Sequence, residues 1–295
     1  MKVLLTGANG FLGYYLTGQL LSKGYDVIAT GKGKCRLTYD SMKNFIYIPM
    51  DFTNPFVVHD VFEKFNPEVV IHAGAISKVD ECEQHQWQAY QANVAGTLNL
   101  LMNAAGQKCF FVFISTDFIF DGQKGMYTEE DAGSPVNFYG KTKLEAEEAV
   151  KEYEYDWAIV RTILVYGKPI TGKGNILSIV KEKLEKGEEY QVVSDQLRTP
   201  TYVEDLANGI ITLTEKNATG IYHIGGEDVL TPYDMACLTA DYLNLDKSLI
   251  KEVTAINFSQ PAKRPLKTGL KISKAKKELN YQPVSFQEGL RKTFG

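Results

Sequence analysis

The stretch "VLLTGANGFLGYYL", residues 3–16, decides the fold of this chain. It begins as a short apolar strand, continues through three glycines spaced G-x-x-G-x-x-G, and ends as a helix. In such a unit Gly7 permits a tight turn, Gly10 lets a diphosphate approach the backbone, and Gly13 allows the helix to pack closely on the strand. A helix N-terminus also carries N–H groups and a partial positive charge that favour a diphosphate.

This loop opens the first strand–helix unit of the chain, which favours dinucleotide binding over a glycine-rich turn without a ligand. We therefore predict that the backbone and the small side chains of the loop contact a dinucleotide cofactor. The predicted contacts within the loop are Gly7, Asn9, Gly10, Phe11, Leu12 and Gly13.

Short apolar runs alternate with segments of helical periodicity, such as Trp87–Ala105, over the first part of the chain. The predicted strands are Val3–Leu5, Asp26–Thr30, Phe45–Ile48, Val69–Ala73, Cys109–Ser115 and Ala158–Thr162. Near-continuous apolar strands separated by helices indicate a parallel sheet that is covered on both faces. We predict a doubly wound α/β fold of the Rossmann type.

The pattern changes after Gly167. Helices are predicted over Ile176–Lys186, Tyr233–Leu243 and Ser273–Leu279, and short strands over Tyr190–Val193 and Ile221–Ile224. We therefore predict a Rossmann domain over residues 1–166 and a smaller substrate-binding lobe over residues 167–295. Some segments of the lobe are expected to return to the Rossmann core.

The composition of the 295 residues excludes several classes of protein. A net charge of −4 with dispersed Lys and Arg argues against nucleic acid as a partner. The longest apolar run, around Cys109–Ile114, is far below the roughly 20 residues that span a membrane. The four cysteines form no C-x-x-C and no metal-ligand spacing, so we predict no metal site and a reduced, cytoplasmic environment. "MKVLLTG" enters a strand directly, which leaves no room for a signal peptide.

The second predicted strand and the loop after it, "VIATGKGKCR", indicate which dinucleotide is preferred. NAD sites usually end this strand with a carboxylate for the ribose 2′-hydroxyl, whereas a nearby cation accommodates the 2′-phosphate of NADP. Here Gly31 stands about where the acid would be, and Lys32, Lys34 and Arg36 follow it. We predict NADP(H) in preference to NAD(H), with Lys32 and Lys34 as contacts. The alternative is a solvated basic loop.

A second informative segment is "NFYGKTKLEAEEAV", residues 137–150, which predicts a helix. Tyr139 and Lys143 lie four residues apart and therefore share one face of that helix. A free tyrosine has a pKa of about 10. An adjacent cation favours the phenolate, so we expect Lys143 to lower the pKa of Tyr139 toward the working range. The acidic residues that follow are expected on the helix surface, and these are Glu145, Glu147 and Glu148.

The pattern Y-x-x-x-K also occurs in plain amphipathic helices, so its context matters. Here it follows the fifth predicted strand, which ends "FISTDFIFDG". That strand places the hydroxyl of Thr116 and the carboxylate of Asp117 at the carboxyl end of the sheet, where ligands of open α/β sheets bind. This context favours the interpretation of Tyr139 as a proton donor that lies beside the cation of Lys143, over a plain amphipathic helix.

The motifs of the chain, in order, resemble those of the extended short-chain dehydrogenases/reductases. They are TGANGFLG, DFTN, HAGA, NVAGT, STDFIFDG, YGKTK and RTILVYG. Further stretches are similar to the dTDP-4-dehydrorhamnose reductase family, namely VDECE, the Gly174–Asn175 pair, DQLRTPTYVEDLA and RPLKTGL. The resemblance covers nearly the whole chain.

The resemblance implies a catalytic triad of Thr116, Tyr139 and Lys143. Tyr139 would give a proton to the substrate oxygen while the nicotinamide delivers a hydride to the same carbon. Thr116 would hydrogen-bond that oxygen. Lys143 would hold the nicotinamide ribose and tune Tyr139, so both residues also count as cofactor contacts.

The resemblance also implies further contacts to the cofactor. Asp51 and Phe52 would lie near the adenine, although an Asp that caps a loop is the alternative for Asp51. Small residues would form the floor under the cofactor, and these are Ala73, Gly74 and Ala75. His72 is expected to be structural, and Asn93 to lie in a stretch behind the active site.

The implied substrate contacts are Lys78, Asp117, Leu164, Asn175, Arg198 and Arg264. Arg198 and Arg264 are candidate diphosphate ligands, since a guanidinium fork matches phosphate oxygens, and a surface ion pair is the alternative for each. Three positions depart from the family pattern. Leu164 replaces a usual tryptophan, Arg198 a usual glycine, and Lys267 a usual asparagine, so the sugar or the nucleotide is open.

Three functions are compatible with this fold. The first is an NADPH-dependent reductase of a nucleotide-linked 4-keto sugar. The second is another sugar-nucleotide enzyme, an epimerase or dehydratase, but Phe118 stands where dehydratases of this superfamily have a glutamate. The third is a non-catalytic NADP-binding regulatory subunit that resembles the methionine adenosyltransferase beta subunit. The predicted partner is a nucleotide sugar, with a homodimer as one option for assembly.

Overall fold

The structure is a computed structural model that describes residues 1–170, 174–257 and 260–295. The strands, in chain order, are β1 (Lys2–Thr6), β2 (Asp26–Gly31), β3 (Phe45–Pro49), β4 (Val69–His72), β5 (Phe110–Thr116), β6 (Trp157–Thr162), β7 (Val165–Tyr166), β8 (Tyr190–Val193), β9 (Thr201–Tyr202), β10 (Gly220–His223) and β11 (Ile250–Val253). The main sheet has seven parallel strands in the order β10-β6-β5-β4-β1-β2-β3. The predicted doubly wound α/β fold is confirmed.

Helices connect the strands of the sheet. In chain order they are α1 (Phe11–Ser22), α2 (Pro55–Phe65), α3 (Val79–Gln84), α4 (Gln86–Tyr90), α5 (Gly96–Gln107), α6 (Phe138–Lys151), α7 (Ile176–Glu185), α8 (Val203–Glu215), α9 (Pro232–Leu243), α10 (Ser273–Leu279) and α11 (Phe286–Phe294). The single helix predicted over Trp87–Ala105 is present as α4 and α5, which are joined by a π-helical turn at Gln91–Ala95.

Strand β1 shows why the apolar runs of the sequence are nearly continuous. Successive side chains of a strand point to opposite faces, and both faces of this sheet are covered. Val3 and Leu5 enter a core layer that includes residues of α1 and α8, whereas Leu4 enters the layer formed with α2 and α5. All three side chains are fully buried.

The loop after β1 is confined by the backbone that follows β4. Gly7 has a φ of 71°, and a Cβ on it would lie 2.8 Å from backbone atoms of Ala73 and Gly74. Both the left-handed conformation and the close approach therefore require glycine. The order of strands reverses between β1 and β4, which is the point at which open α/β sheets bind ligands.

Part of the chain beyond residue 166 returns to this core. The strand predicted at Ile221–Ile224 is present as β10, and its backbone pairs with β6, so it is one of the segments that return to the main sheet. Helices α8 and α10 also contribute to the main core. The smaller lobe contains the strand pairs β8–β11 and β7–β9 and a cluster of apolar residues shared by α7 and α9. The boundary at residue 166 stays a prediction.

Helix α6 does not present all of its acidic residues to solvent. Glu145 and Glu148 are exposed as predicted, but the placement of Glu147 on the surface is wrong. Glu147 is fully buried and binds Arg161 of β6 with an Nη2–Oε2 distance of 2.8 Å. It also accepts a hydrogen bond of 2.5 Å from the hydroxyl of Ser115 on β5. Through these two contacts, Glu147 joins α6 to the central strands β5 and β6.

Replacement of Glu147 by alanine is expected to destabilise the protein by about 3–5 kcal/mol, because Arg161 would remain as a buried charge without its partner. Urea unfolding measures this difference. Glu148→Ala, one residue further along the same helix but exposed, is the matched control and should change stability by less than about 0.5 kcal/mol. Equal effects of the two variants would contradict a structural role for the pair.

Candidate active site

A long cleft crosses the carboxyl edge of the sheet and consists of two adjoining halves. The cofactor half has a volume of about 470 Å³ and is lined by the glycine loop after β1. The reaction half has a volume of about 480 Å³ and is lined by the ends of β5 and β6 and by α6. The halves share lining residues, and these are Leu12, Ala73, Ala75, Ser77 and Val165. A ligand can therefore extend from one half into the other.

Most of the predicted cofactor contacts line the cofactor half. They are Gly7, Asn9, Gly10, Phe11, Leu12, Gly13, Lys32, Phe52, Ala73, Gly74 and Ala75. Lys34 and Asp51 do not line it, whereas Arg36 does. Arg36 belongs to the basic loop noted in the sequence. The loop sequence GKGKCR did not indicate which of its three cations would line the cleft.

The basic loop after β2 is held by Asn9 and Tyr47. The Asn9 amide donates to the carbonyl of Lys34 at 3.0 Å and to the hydroxyl of Tyr47 at 2.7 Å, and it accepts from the backbone N–H of Arg36 at 2.9 Å. A Cβ on Gly31 would lie 3.2 Å from that tyrosine hydroxyl, so an acidic side chain would need Tyr47 to shift.

Asp51 does not line the cofactor half itself, but it forms an ion pair with Lys32, which does. Its Oδ2 lies 2.9 Å from the ammonium of Lys32, and both side chains are about half exposed. Its Oδ1 accepts from the backbone and hydroxyl of Thr53, so Asp51 caps its own loop. The carboxylate therefore restrains Lys32 at the rim, and we expect it to offset part of the positive charge there.

Thr116, Tyr139 and Lys143 line the reaction half together. Thr116 ends β5, while Tyr139 and Lys143 project from the first turns of α6. The side chain of Asn137 caps α6 by accepting from the N–H of Gly140 at 2.9 Å. A Cβ on Gly140 would lie 2.1 Å from the Phe118 carbonyl, so the start of α6 packs directly on the backbone that follows β5.

Burial controls the protonation of both Tyr139 and Lys143. Burial raises the pKa of Tyr139 above its usual range, and the nearby Asp117 raises it further against a lowering by the Thr116 hydroxyl. The expectation that the pKa of Tyr139 is lowered toward the working range is wrong, because desolvation of the phenol is the largest effect on it and Lys143 is not among the groups that shift it. The Lys143 ammonium is engaged elsewhere. It donates to the carbonyl of Ile114 at 2.8 Å and lies 3.8 Å from the centre of the Phe113 ring.

Burial also lowers the pKa of Lys143 to about 7, with Glu147 acting in the opposite direction. Because burial raises the pKa of Tyr139, its side chain is held as a neutral phenol, and the phenol is the form that can donate a proton. The hydroxyl of Thr116, which lines the same half of the cleft, donates to the Asp117 carboxylate at 3.1 Å. The arrangement can give a proton to an acceptor placed beside Tyr139.

The predicted substrate contacts divide into two groups. Asp117, Leu164, Arg198 and Arg264 line the reaction half, but Lys78 and Asn175 do not. Lys78 is exposed and lies 3.3 Å from Glu81. Asn175 instead caps α7 by accepting from the N–H of Leu177 and donates to the carbonyl of Gly167 at 2.7 Å. The sequence indicated a substrate contact for Asn175 and did not indicate that the residue caps a helix.

Both arginines of the reaction half already have protein partners. Arg264 binds the carboxylate of Asp80 through both terminal nitrogens, at 2.5 and 2.7 Å. Arg198 is only 3% exposed and donates to backbone carbonyls. The alternative of a surface ion pair is wrong for Arg198 because the side chain is buried. The structure also brings Gln196, which the sequence did not single out, into the lining.

Leu164 has a backbone conformation that is unusual for a residue other than glycine. Its φ is 38°, in the left-handed region, where a side chain costs roughly 1–2 kcal/mol. The residue is half-buried between two apolar clusters and lines the reaction half. Such strained positions concentrate at functional sites, which supports the assignment of Leu164 to the substrate side.

Two buried polar residues hold the floor of the cleft. His72 bridges Thr6 and Thr97 through its two ring nitrogens at 2.6 and 3.1 Å, and burial lowers its pKa well below the usual value. Asn93, in the π-helical turn, accepts from the N–H of Ile76 at 2.8 Å and donates to the hydroxyl of Thr142 at 3.0 Å. Both side chains are used in structural hydrogen bonds.

Comparison with known proteins agrees with this architecture. Residues 1–295 match the RmlD substrate binding domain family. The structure of a dTDP-4-dehydrorhamnose reductase from Clostridium acetobutylicum ATCC 824 superposes with a TM-score of 0.88 at 32% identity, covering 99% of this chain and 98% of that one. The dTDP-4-dehydrorhamnose reductase from Bacillus anthracis str. Ames, solved in complex with NADP, gives 0.87 at 30% identity, with 99% and 98% covered.

A curated relative is the methionine adenosyltransferase 2 subunit beta of Mus musculus. It is 30% identical over 298 residues, which cover 99% of this chain and 86% of the relative. The fold and the cleft define an extended short-chain dehydrogenase/reductase, a class of NAD(P)-dependent oxidoreductases. Within that class, the chain belongs to the RmlD substrate binding domain family. The resemblance noted in the sequence is confirmed, and the roles of single residues stay predictions.

Across the described residues, every helix is too short or too polar to cross a lipid bilayer.

The lowered pKa of Lys143 predicts how stability depends on pH. Unfolded lysine has a pKa of about 10.4, so between about pH 7 and about pH 10 the unfolded chain binds more protons than the native protein. The contribution of Lys143 to stability therefore rises with pH in that window, by up to about 1.4 kcal/mol per unit, and its burial penalty is fully present below the window. We expect Lys143→Met to remove this slope.

Urea unfolding of the cofactor-free protein across that window tests the expectation. Loss of the bond to Ile114 should add an offset that does not depend on pH. Lys141→Met, on the exposed side of the same helix, should retain the wild-type slope. Parallel pH profiles for the wild type and Lys143→Met would show that Lys143 is an ordinary lysine.

Proposed function

We propose that this protein is an NADPH-dependent reductase of a nucleotide-linked 4-keto sugar. The observation that carries the proposal is the common lining of one cleft, where the glycine loop meets Thr116, Tyr139 and Lys143. The similarity to dTDP-4-dehydrorhamnose reductases over 99% of the chain supports the substrate class. The NADP in one of those structures supports a nicotinamide cofactor.

The residues of the glycine loop fit a dinucleotide, because Gly7 and Gly10 line the cofactor half and helix α1 begins directly after them. The bound nicotinamide would supply a hydride to the carbonyl carbon of the sugar. Tyr139, kept protonated by burial, would donate its proton to the carbonyl oxygen. Thr116 would hydrogen-bond that oxygen, and Lys143 would bind the nicotinamide ribose.

A dehydratase or epimerase is less well supported. Water loss requires a base beside the sugar, and Phe118 occupies the position after Asp117. The Phe118 ring packs against that of Tyr139, with their centres 5.9 Å apart. Among the residues found to line the reaction half, Asp117 is the only carboxylate, and it is 2% exposed and already hydrogen-bonded. An epimerase would also retain NAD, which the basic loop disfavours.

A regulatory subunit is the second candidate. Its support is the 30% identity to a methionine adenosyltransferase 2 subunit beta, which extends over 99% of this chain. Leu164, Arg198 and Lys267, where the chain departs from the reductase pattern, are consistent with a cleft adapted to another purpose. Cofactor binding without turnover of any keto sugar would favour this candidate.

Stopped-flow NADPH oxidation with dTDP-4-dehydrorhamnose and a panel of related keto sugars tests the proposal. We expect turnover by the wild type and a loss of about 10²–10⁴ in rate for Tyr139→Phe, which lacks the proton donor but keeps the ring. NADPH binding should persist, because the glycine loop is intact. Thr116→Val should lose less, since it removes one hydrogen bond and not the proton.

Two outcomes would reject parts of this scheme. Near-equal rates for the wild type and Tyr139→Phe would exclude Tyr139 as the acid. A wild type that binds NADPH but oxidises it with no member of the panel would reject the reductase and support the regulatory subunit.

The loop after β2 predicts tighter binding of NADPH than of NADH. Lys32 and Arg36 line the cofactor half, and loss of a charged phosphate contact of about 1.5–3 kcal/mol corresponds to a tenfold or greater loss of affinity. Lys32→Ala with Arg36→Ala should therefore remove the preference in a fluorescence titration. Lys34→Ala, which changes a cation outside the lining, is the matched control. Equal affinities of the wild type for the two cofactors would contradict the preference.

A further inference from the structure

Asp117 and Arg198 form a buried charge pair at the base of the reaction half. The exposed fraction is 2% for Asp117 and 3% for Arg198, and the Arg198 Nε lies 4.0 Å from Asp117 Oδ2. Asp117 follows the end of β5, whereas Arg198 follows β8 in the smaller lobe. The pair therefore joins the catalytic strand to the substrate side of the cleft.

The terminal nitrogens of Arg198 are fully used by the protein. Nη1 donates to the carbonyls of Leu197 and Leu266 at 2.8 and 2.9 Å. Nη2 donates to the side chain of Gln196 at 3.0 Å and to the carbonyl of Pro265 at 2.7 Å. A guanidinium has five N–H donors, and the fifth, on Nε, lies 4.0 Å from Asp117 Oδ2, too far for a hydrogen bond. The four donors of the terminal nitrogens are therefore all bonded to the protein in this arrangement.

Asp117 in turn contacts the catalytic hydroxyl. Its Oδ1 accepts from Thr116 at 3.1 Å, and its Oδ2 accepts from Thr268 at 2.5 Å. The Thr116 oxygen also accepts from the N–H of Phe118 at 3.2 Å. A threonine hydroxyl has a single proton. While Thr116 gives that proton to Asp117, it cannot give it to a substrate oxygen.

We propose that Arg198 is a positioning residue: it holds the segment 265–268 against β5 and limits how strongly Asp117 retains the proton of Thr116. The inference rests on the proposed function, in which Thr116 hydrogen-bonds the substrate oxygen. With Arg198 in place, the charge of Asp117 is shared with a guanidinium and with Thr268. Without Arg198, the buried carboxylate loses its charged partner and depends more on the hydroxyls of Thr116 and Thr268, and Thr116 is the one that catalysis needs.

This role differs from that of a diphosphate ligand in its kinetic signature. A diphosphate lies far from the reacting carbon and is bound similarly in the ground and transition states, so loss of its ligand raises KM. A residue that orients Thr116 acts on the transition state and lowers kcat. We expect Arg198→Met to lower kcat at least tenfold, with KM for dTDP-4-dehydrorhamnose changed less than about twofold.

Arg291→Met is the matched control, because Arg291 is an exposed arginine of α11 that binds Glu288 and lines neither half of the cleft. It should leave kcat within about threefold of the wild type. An unchanged kcat in Arg198→Met, or a tenfold rise in KM with kcat retained, would overturn the positioning role.

A rescue experiment separates positioning from general structural damage. In Asp117→Asn with Arg198→Met the uncompensated carboxylate is absent, so we expect the double variant to recover at least a few-fold in kcat over Arg198→Met alone. Where kcat and KM both change in Arg198→Met, the double variant decides, because an absence of recovery would show that Arg198 does not act through Asp117.

The inference can also fail independently of the proposed function. If the wild type binds NADPH but reduces no keto sugar, the reductase is rejected, and thermal unfolding of Arg198→Met, Asp117→Asn and the double variant then tests the pair. Arg198→Met should melt several degrees below the wild type, and the double variant should regain part of that loss. Additive shifts would show that the two side chains are not coupled and would overturn the inference.

Discussion

The candidate site depends on the direct packing of helix α6 on the carboxyl end of β5. Gly140 permits this approach, because any side chain there would collide with the Phe118 carbonyl. Lys143 bonds to the carbonyl of Ile114, and Glu147 bonds to Ser115 one residue further along the strand. Thr116 and Tyr139 line the same half-cleft because these contacts set the distance and rotation of the helix.

The same packing explains the electrostatics of the site. A helix pressed onto a strand excludes water from the groups between them, and burial disfavours their charged forms. Tyr139 is therefore held as a phenol and Lys143 with a lowered pKa, while Glu147 and Arg161 are buried as partners of each other. A protonated tyrosine suits a reduction, in which the enzyme must supply a proton to an oxygen.

The two sides of the cleft are built differently. The cofactor side is mostly backbone and small side chains, so its shape follows from the glycine loop and from the floor that His72 and Asn93 hold. The substrate side is assembled from distant segments, through Arg198 and the carbonyls of residues 265 and 266. Two of the departures from the reductase pattern, Leu164 and Arg198, line the reaction half and not the cofactor half.

The sequence alone determined the sheet, the glycine loop and the Tyr139–Lys143 pair, because strand periodicity, G-x-x-G-x-x-G and an i, i+4 spacing are local patterns. Only the tertiary structure decided the burial of Glu147, the pairing of β10 with β6, the use of Asn175 as a helix cap and the engagement of Arg198 by the 265–268 segment. Each depends on residues far apart in the chain or on the environment of a group. A charged or polar side chain looks the same in a sequence whether it faces solvent, a ligand or a buried partner, and only packing separates these cases.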